Sequence, residues 1–63
     1  MSLKMKIRML LDSKGCKDKD LALYLGMTRT KLSYRMNGSI EFRHSEINKV
    51  LEFLQCKYED IFI

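Results

Sequence analysis

With 63 residues and a formal net charge of +4, the chain has room for one core and no second domain, which leaves little space for a catalytic cleft. Its 46% hydrophobic and 32% charged residues can offset chain entropy, so it reads as a folded domain and not as a disordered tail. The charge is uneven: residues 1–15 and 28–43 carry +3 each and residues 44–63 carry −2, which suits a molecule that lays one basic face against a polyanion.

There is no proline, and the glycines Gly15, Gly26 and Gly38 fall where stretches of helical periodicity stop. From about Lys4 to Lys14, the residues Ile7, Leu10, Leu11 and Lys14 keep i, i+3, i+4, i+7 spacing, with Leu3 and Met5 extending the apolar side. This predicts a first helix ended by Gly15. Met5 is an equal candidate for a natural start, so no function is assigned to residues 1–4.

A second helix is predicted from about Asp18 to Leu25, with Leu21, Ala22 and Leu25 on one face and Asp18 and Asp20 in the first turn, where the dipole favours negative charge. Gly26 ends it. Thr28 is placed to cap a third helix of about Arg29 to Met36, its hydroxyl accepting from a free first-turn amide. Asn37-Gly38 closes that helix.

Ser39 to Arg43 reads as a loop anchored by Phe42. A fourth helix of about His44 to Gln55 follows, with Ile47, Val50, Leu51 and Leu54 as its apolar stripe. Tyr58 to Phe62 is long enough only for a short fifth helix. Met9, Met27 and Met36 read as core filling, and His44 as an exposed or capping residue at a helix start. Cys16 and Cys56 lie far apart with no second ligand at metal spacing, so neither a metal nor a cofactor is expected and each reads as a small buried hydrophobe. No apolar run approaches the roughly 20 residues of a membrane span and no secretory leader is legible, so the thiols are expected to be reduced in a cytoplasmic setting.

Two short helices separated by a turn around Gly26, the second capped by Thr28, form a helix-turn-helix pattern over about residues 18–37. The turn needs glycine for a left-handed backbone, and Ala22 leaves space where the two helices cross. In such a motif the second helix enters the major groove and its first-turn side chains reach base edges. That assigns Arg29, Thr30 and Lys31 to the groove, Lys31 for a base or a phosphate, with Tyr34 four residues beyond Thr30 on the same face, set for a base or sugar contact or else for packing against helix two. Arg29 suits guanine and Thr30 a thymine methyl or a polar edge. Thr28, Ser33, Asn37, the Gly38 amide and Ser39 are of the type that bonds phosphate oxygens, with Lys17 and Arg43 adding charge at the edges.

The run Leu21-Ala22, Leu25-Gly26-Met27-Thr28, Leu32-Ser33 and Asn37-Gly38, followed by Phe42, Ser45-Glu46-Ile47 and Asp60-Ile61-Phe62, resembles the Cro and phage-repressor (Xre-type) helix-turn-helix family. The resemblance covers about Lys6 to Phe62 within a single domain of residues 1–63. It implies an all-α, compact four- to five-helix, lambda-repressor-like domain that binds double-stranded operator DNA, usually as a homodimer, and represses transcription in a bacterial cell or a phage-infected host. No enzyme activity, small-molecule substrate or membrane association is implied. The family's Thr-Gln at the start of helix two is replaced by Lys17-Asp18, of which Lys17 can hold phosphate and Asp18 repels it unless it serves as a local cap. Its apolar-acidic pair before Asn-Gly is replaced by Arg35-Met36, so the core contact passes to Met36 and Arg35 is expected to be free for solvent or phosphate.

Tyr58, Ile61, Phe62 and Ile63 form a C-terminal apolar group that is either a dimer interface or the closure of the monomer's own core. A protein-interaction module of antirepressor or antitoxin type is the other functional reading, separable from DNA binding by its weaker salt dependence.

Overall fold

The computed structural model describes residues 2–63. Five helices follow one another: α1 (Leu3–Ser13), α2 (Asp18–Leu25), α3 (Arg29–Met36), α4 (His44–Leu54) and α5 (Tyr58–Ile61). The predicted bounds of α2 and α3 coincide with these. Helix α1 begins one residue earlier than expected, because the Ser2 hydroxyl accepts from the Met5 amide at 3.2 Å and caps it. Leu3 packs against the core, so the opening segment is part of the fold from Ser2 onward, while Met1 lies outside the described residues.

The core consists of Ile7 and Leu11 from α1, Leu21, Ala22 and Leu25 from α2, Leu32 and Met36 from α3, Val50 and Leu54 from α4, and Ile61 from α5. Full burial of each large side chain contributes about 1.5–3 kcal/mol. Helix α2 packs against both α3 and α4, and α1 against α3 and α5. Phe42 anchors the loop as expected, meeting Phe62 edge-on with ring centroids 5.8 Å apart. Met9 is a correction: it is 55% exposed, because it lies on the side of α1 away from Ile7 and Leu11 and shares that outer face with Met5. No helix among the described residues is long and apolar enough to cross a membrane.

Four helices end in the same way. At Gly15, Gly26, Gly38 and Gln55 the backbone turns to positive φ, and the next amide reaches back to a carbonyl five residues earlier. The bonds are Cys16 to Leu11 at 2.9 Å, Met27 to Ala22 at 3.0 Å, Ser39 to Tyr34 at 3.0 Å and Cys56 to Leu51 at 3.2 Å. This is the Schellman arrangement, in which the residue after the left-handed one makes a hydrophobic contact. Cys16, Met27 and Cys56 occupy that place and pack against the core, which gives both cysteines a structural role. Burial, and then the charge of Asp60, push the Cys56 thiol above its ordinary range, with Lys14 opposing. The protonated, weakly nucleophilic form is favoured.

Three helix starts share a second device. Asp20, Glu46 and Asp60 each accept the backbone N–H three residues upstream, at Lys17, Arg43 and Lys57, over 2.8, 2.9 and 2.9 Å. The acid satisfies the amide that an N-terminal cap leaves open. A basic residue can therefore hold the cap position and point its side chain outward.

Candidate nucleic-acid interface

Helix α3 is held by its ends and by one face. Thr28 Oγ1 accepts the Lys31 amide at 3.1 Å, and Leu32 and Met36 are buried beneath the helix. The preceding turn requires Gly26 at φ 73°, a conformation that L side chains adopt at a cost. A β-carbon there would meet nothing within 4 Å, so the requirement comes from the backbone itself and not from crowding.

Arg29, Thr30, Lys31, Ser33 and Tyr34 all face solvent. Arg29, Thr30 and Ser33 line one shallow cleft together with Arg8 and Asp18. Tyr34 is 50% exposed and makes no ring–ring contact among the described residues. Lys17 and Arg43 stand at the caps of α2 and α4, exposed. Asn37 and Ser39 are exposed at the far end of α3. A Thr28 hydroxyl that accepts the cap bond still has its own hydrogen to donate outward.

Two expectations about phosphate contacts change. Arg35 is not free: its Nε donates to Glu46 Oε1 at 2.8 Å, and the two side chains are only 11% and 15% exposed. A second guanidinium nitrogen reaches the Lys31 carbonyl at 3.3 Å. Burial alone would raise the Glu46 carboxyl. The Arg43 amide, the Arg35 hydrogen bond and the charges of both arginines together hold it below its ordinary value. The Gly38 amide is also engaged, donating to the Arg35 carbonyl at 3.2 Å. The Gly38 amide closes α3, and the Arg35 side chain fastens it to α4.

Asp18 is partnered as well. Its Oδ2 lies 3.3 Å from an Arg8 terminal nitrogen, with the two side chains 54% (Arg8) and 28% (Asp18) exposed. Arg8 is not distinguishable in the sequence from the other cations of α1. The basic character of residues 1–15 pointed to α1, but nothing local to α1 indicates which of its cations turns toward α3. Lys6 turns elsewhere, to the Ile63 carbonyl at 2.7 Å, and Lys14 to the Gln55 side chain at 3.2 Å.

A capped, solvent-facing α3 set behind a glycine turn on α2, on an all-α core, defines a helix-turn-helix DNA-binding domain. Residues 6–63 match the family model described as the Cro/C1-type HTH DNA-binding domain, and the chain belongs to that family. Neither the comparison with curated proteins nor the comparison with solved structures found a match.

Proposed function

We propose that the protein is a sequence-specific transcriptional regulator, a repressor of phage or prophage type, that acts as a homodimer with α3 in the major groove of its operator. The observation that carries this reading is the outer face of α3. Arg29, Thr30, Lys31 and Tyr34 are exposed there, and their side chains form no hydrogen bond within the described chain. A row of donors and an aromatic ring left without internal partners on a rigid helix is suited to base edges. Arg29 reads guanine, Thr30 a thymine methyl or a polar edge, Lys31 a base or a phosphate, and Tyr34 a base or sugar. Thr28, Ser33, Asn37 and Ser39, with Lys17 and Arg43 at the rim, set the register on the backbone. A dimer places two such helices about one helical turn apart.

Binding-site selection from random duplex DNA tests this directly. Selection is expected to return a two-fold symmetric site, and Arg29→Ala should relax preference at one base position in each half-site. If combined replacement of Arg29, Thr30 and Tyr34 by alanine left affinity for the selected site unchanged, the assignment of α3 to base reading would be wrong.

A further inference from the structure

We propose that Arg8 of α1 is a phosphate-contacting residue of the DNA interface, and that Asp18 is the positioning residue that holds it there. The proposal rests on the reading of α3 as the DNA-facing helix.

Asp18 opens α2 on the side of the molecule that carries Arg29 and Thr30, and it lines the same cleft as both. A bare carboxylate there would face the DNA backbone and repel it. Instead its Oδ2 engages one terminal nitrogen of Arg8 at 3.3 Å. A guanidinium has five N–H donors in a planar fork, so one bond to Asp18 leaves the other nitrogens available for a phosphate oxygen. Arg8 remains 54% exposed, which keeps that edge open. The adjoining cleft is lined by Arg8, Asp12, Lys17, Asp18 and Arg29, so cations outnumber carboxylates around it. The guanidinium is held beside α3 before DNA arrives, and α1 thereby contributes a third helix to the interface.

A phosphate contact is independent of sequence, so the test needs no operator: affinity for a short mixed-sequence duplex is measured across a range of salt concentrations. Each phosphate neutralised contributes about 0.9 to the slope of log K against log[salt]. Arg8→Ala is expected to weaken binding roughly three- to tenfold at low salt and to flatten the slope by about 0.9, while Arg8→Lys keeps the slope. Asp18→Asn should raise affinity more in the Arg8→Ala background, where the carboxylate only repels, than in the otherwise unchanged protein, where it also holds Arg8. Arg8→Ala with an unaltered slope overturns the phosphate contact, and an equal Asp18→Asn effect in both backgrounds overturns the positioning role. Circular dichroism of each variant separates these outcomes from unfolding. If the unmodified protein bound no duplex at all, the DNA reading itself would fail, which is distinct from binding that ignores Arg8.

Discussion

The guanidinium Nε of Arg35 donates to Glu46 Oε1 at 2.8 Å, and the same carboxylate oxygen accepts the Arg43 amide at 2.9 Å. One oxygen thus joins the last turn of α3 to the first turn of α4, across the loop that carries Ser39 and Phe42. Removing one member strands a mostly buried charge.

Arg35→Ala is therefore expected to lower folding stability by about 1–3 kcal/mol, the usual range for losing a hydrogen bond to a charged group. Its DNA-binding salt slope should equal that of the unmodified protein, since the Arg35 guanidinium is engaged by Glu46 and the Lys31 carbonyl. Urea unfolding and salt-dependent binding check the two halves separately.

The Glu46 carboxyl titrates below its ordinary value of 4.5 in the folded chain. As the pH falls, the unfolded state takes up the proton first, so this contribution is complete at neutral pH and fades as the pH drops through the lower folded value. The stability difference between the unmodified protein and Glu46→Gln should accordingly narrow below about pH 4. Thermal unfolding followed at several pH values measures it, and a gap that widened on acidification would contradict the assignment.

Gln55 has φ 53° at the end of α4, where the other three Schellman ends have glycine. Its side chain accepts an exposed bond from Lys14. Gln55→Gly should stabilise the domain by about 0.5–1 kcal/mol, because the left-handed conformation costs a side-chain-bearing residue roughly that much or more. The reverse change at Gly26, to alanine, should cost about 1 kcal/mol by the same conformational term, with Gly26→Asn milder. Melting temperatures of the three variants give the comparison.

Local chemistry carried most of this fold into the sequence. Thr28 as a cap, Gly26 and Gly38 as stops and the stripe from Val50 to Leu54 are each readable within a few residues, and α2 and α3 have the bounds that their first-turn acids, the Thr28 cap and their stop residues predict. What stayed hidden depends on which helices cross. Arg35 and Glu46 are 11 residues apart, and Arg8 and Asp18 are 10 apart, each pair on different helices, so neither periodicity nor capping rules could pair them. The same limit applies to the site: the exposed face of α3 is legible from Arg29 to Tyr34, whereas the pairing of Arg35 with Glu46 and of Arg8 with Asp18 is not. Met9 differs for another reason: its residue type favours the core, but its position on α1 puts it on the exposed face.

Lys17 and Arg43 hold cap positions whose amides are satisfied by Asp20 and Glu46, and both are exposed. Lys17→Ala and Arg43→Ala should weaken binding to specific and mixed-sequence duplexes by the same factor, each reducing the salt slope by about 1 without changing base preference. Fluorescence anisotropy with both kinds of duplex checks this. A change in the ratio of the two affinities would move either residue from backbone contact to base reading.

The C-terminal apolar group divides in the structure, and this sets the form of a dimerisation test. Ile61 is 2% exposed and belongs to the core, whereas Tyr58 is 45% and Ile63 81% exposed; Phe62 lies between them, packed on Phe42 and Tyr58. Ile61 therefore closes the monomer and is unavailable to a partner. Ile61→Ala is expected to cost about 2–5 kcal/mol of folding stability, so any loss of assembly in that variant would only follow from unfolding. The informative changes are Tyr58→Asp and Ile63→Asp, which alter exposed side chains and should leave the helical signal intact. If two copies associate through this end, sedimentation should show a dimer for the unmodified protein and a folded monomer for the Tyr58→Asp, Ile63→Asp double variant. A double variant that remained dimeric would place the interface elsewhere on the surface, with the exposed Met5 and Met9 face of α1 the next surface to alter.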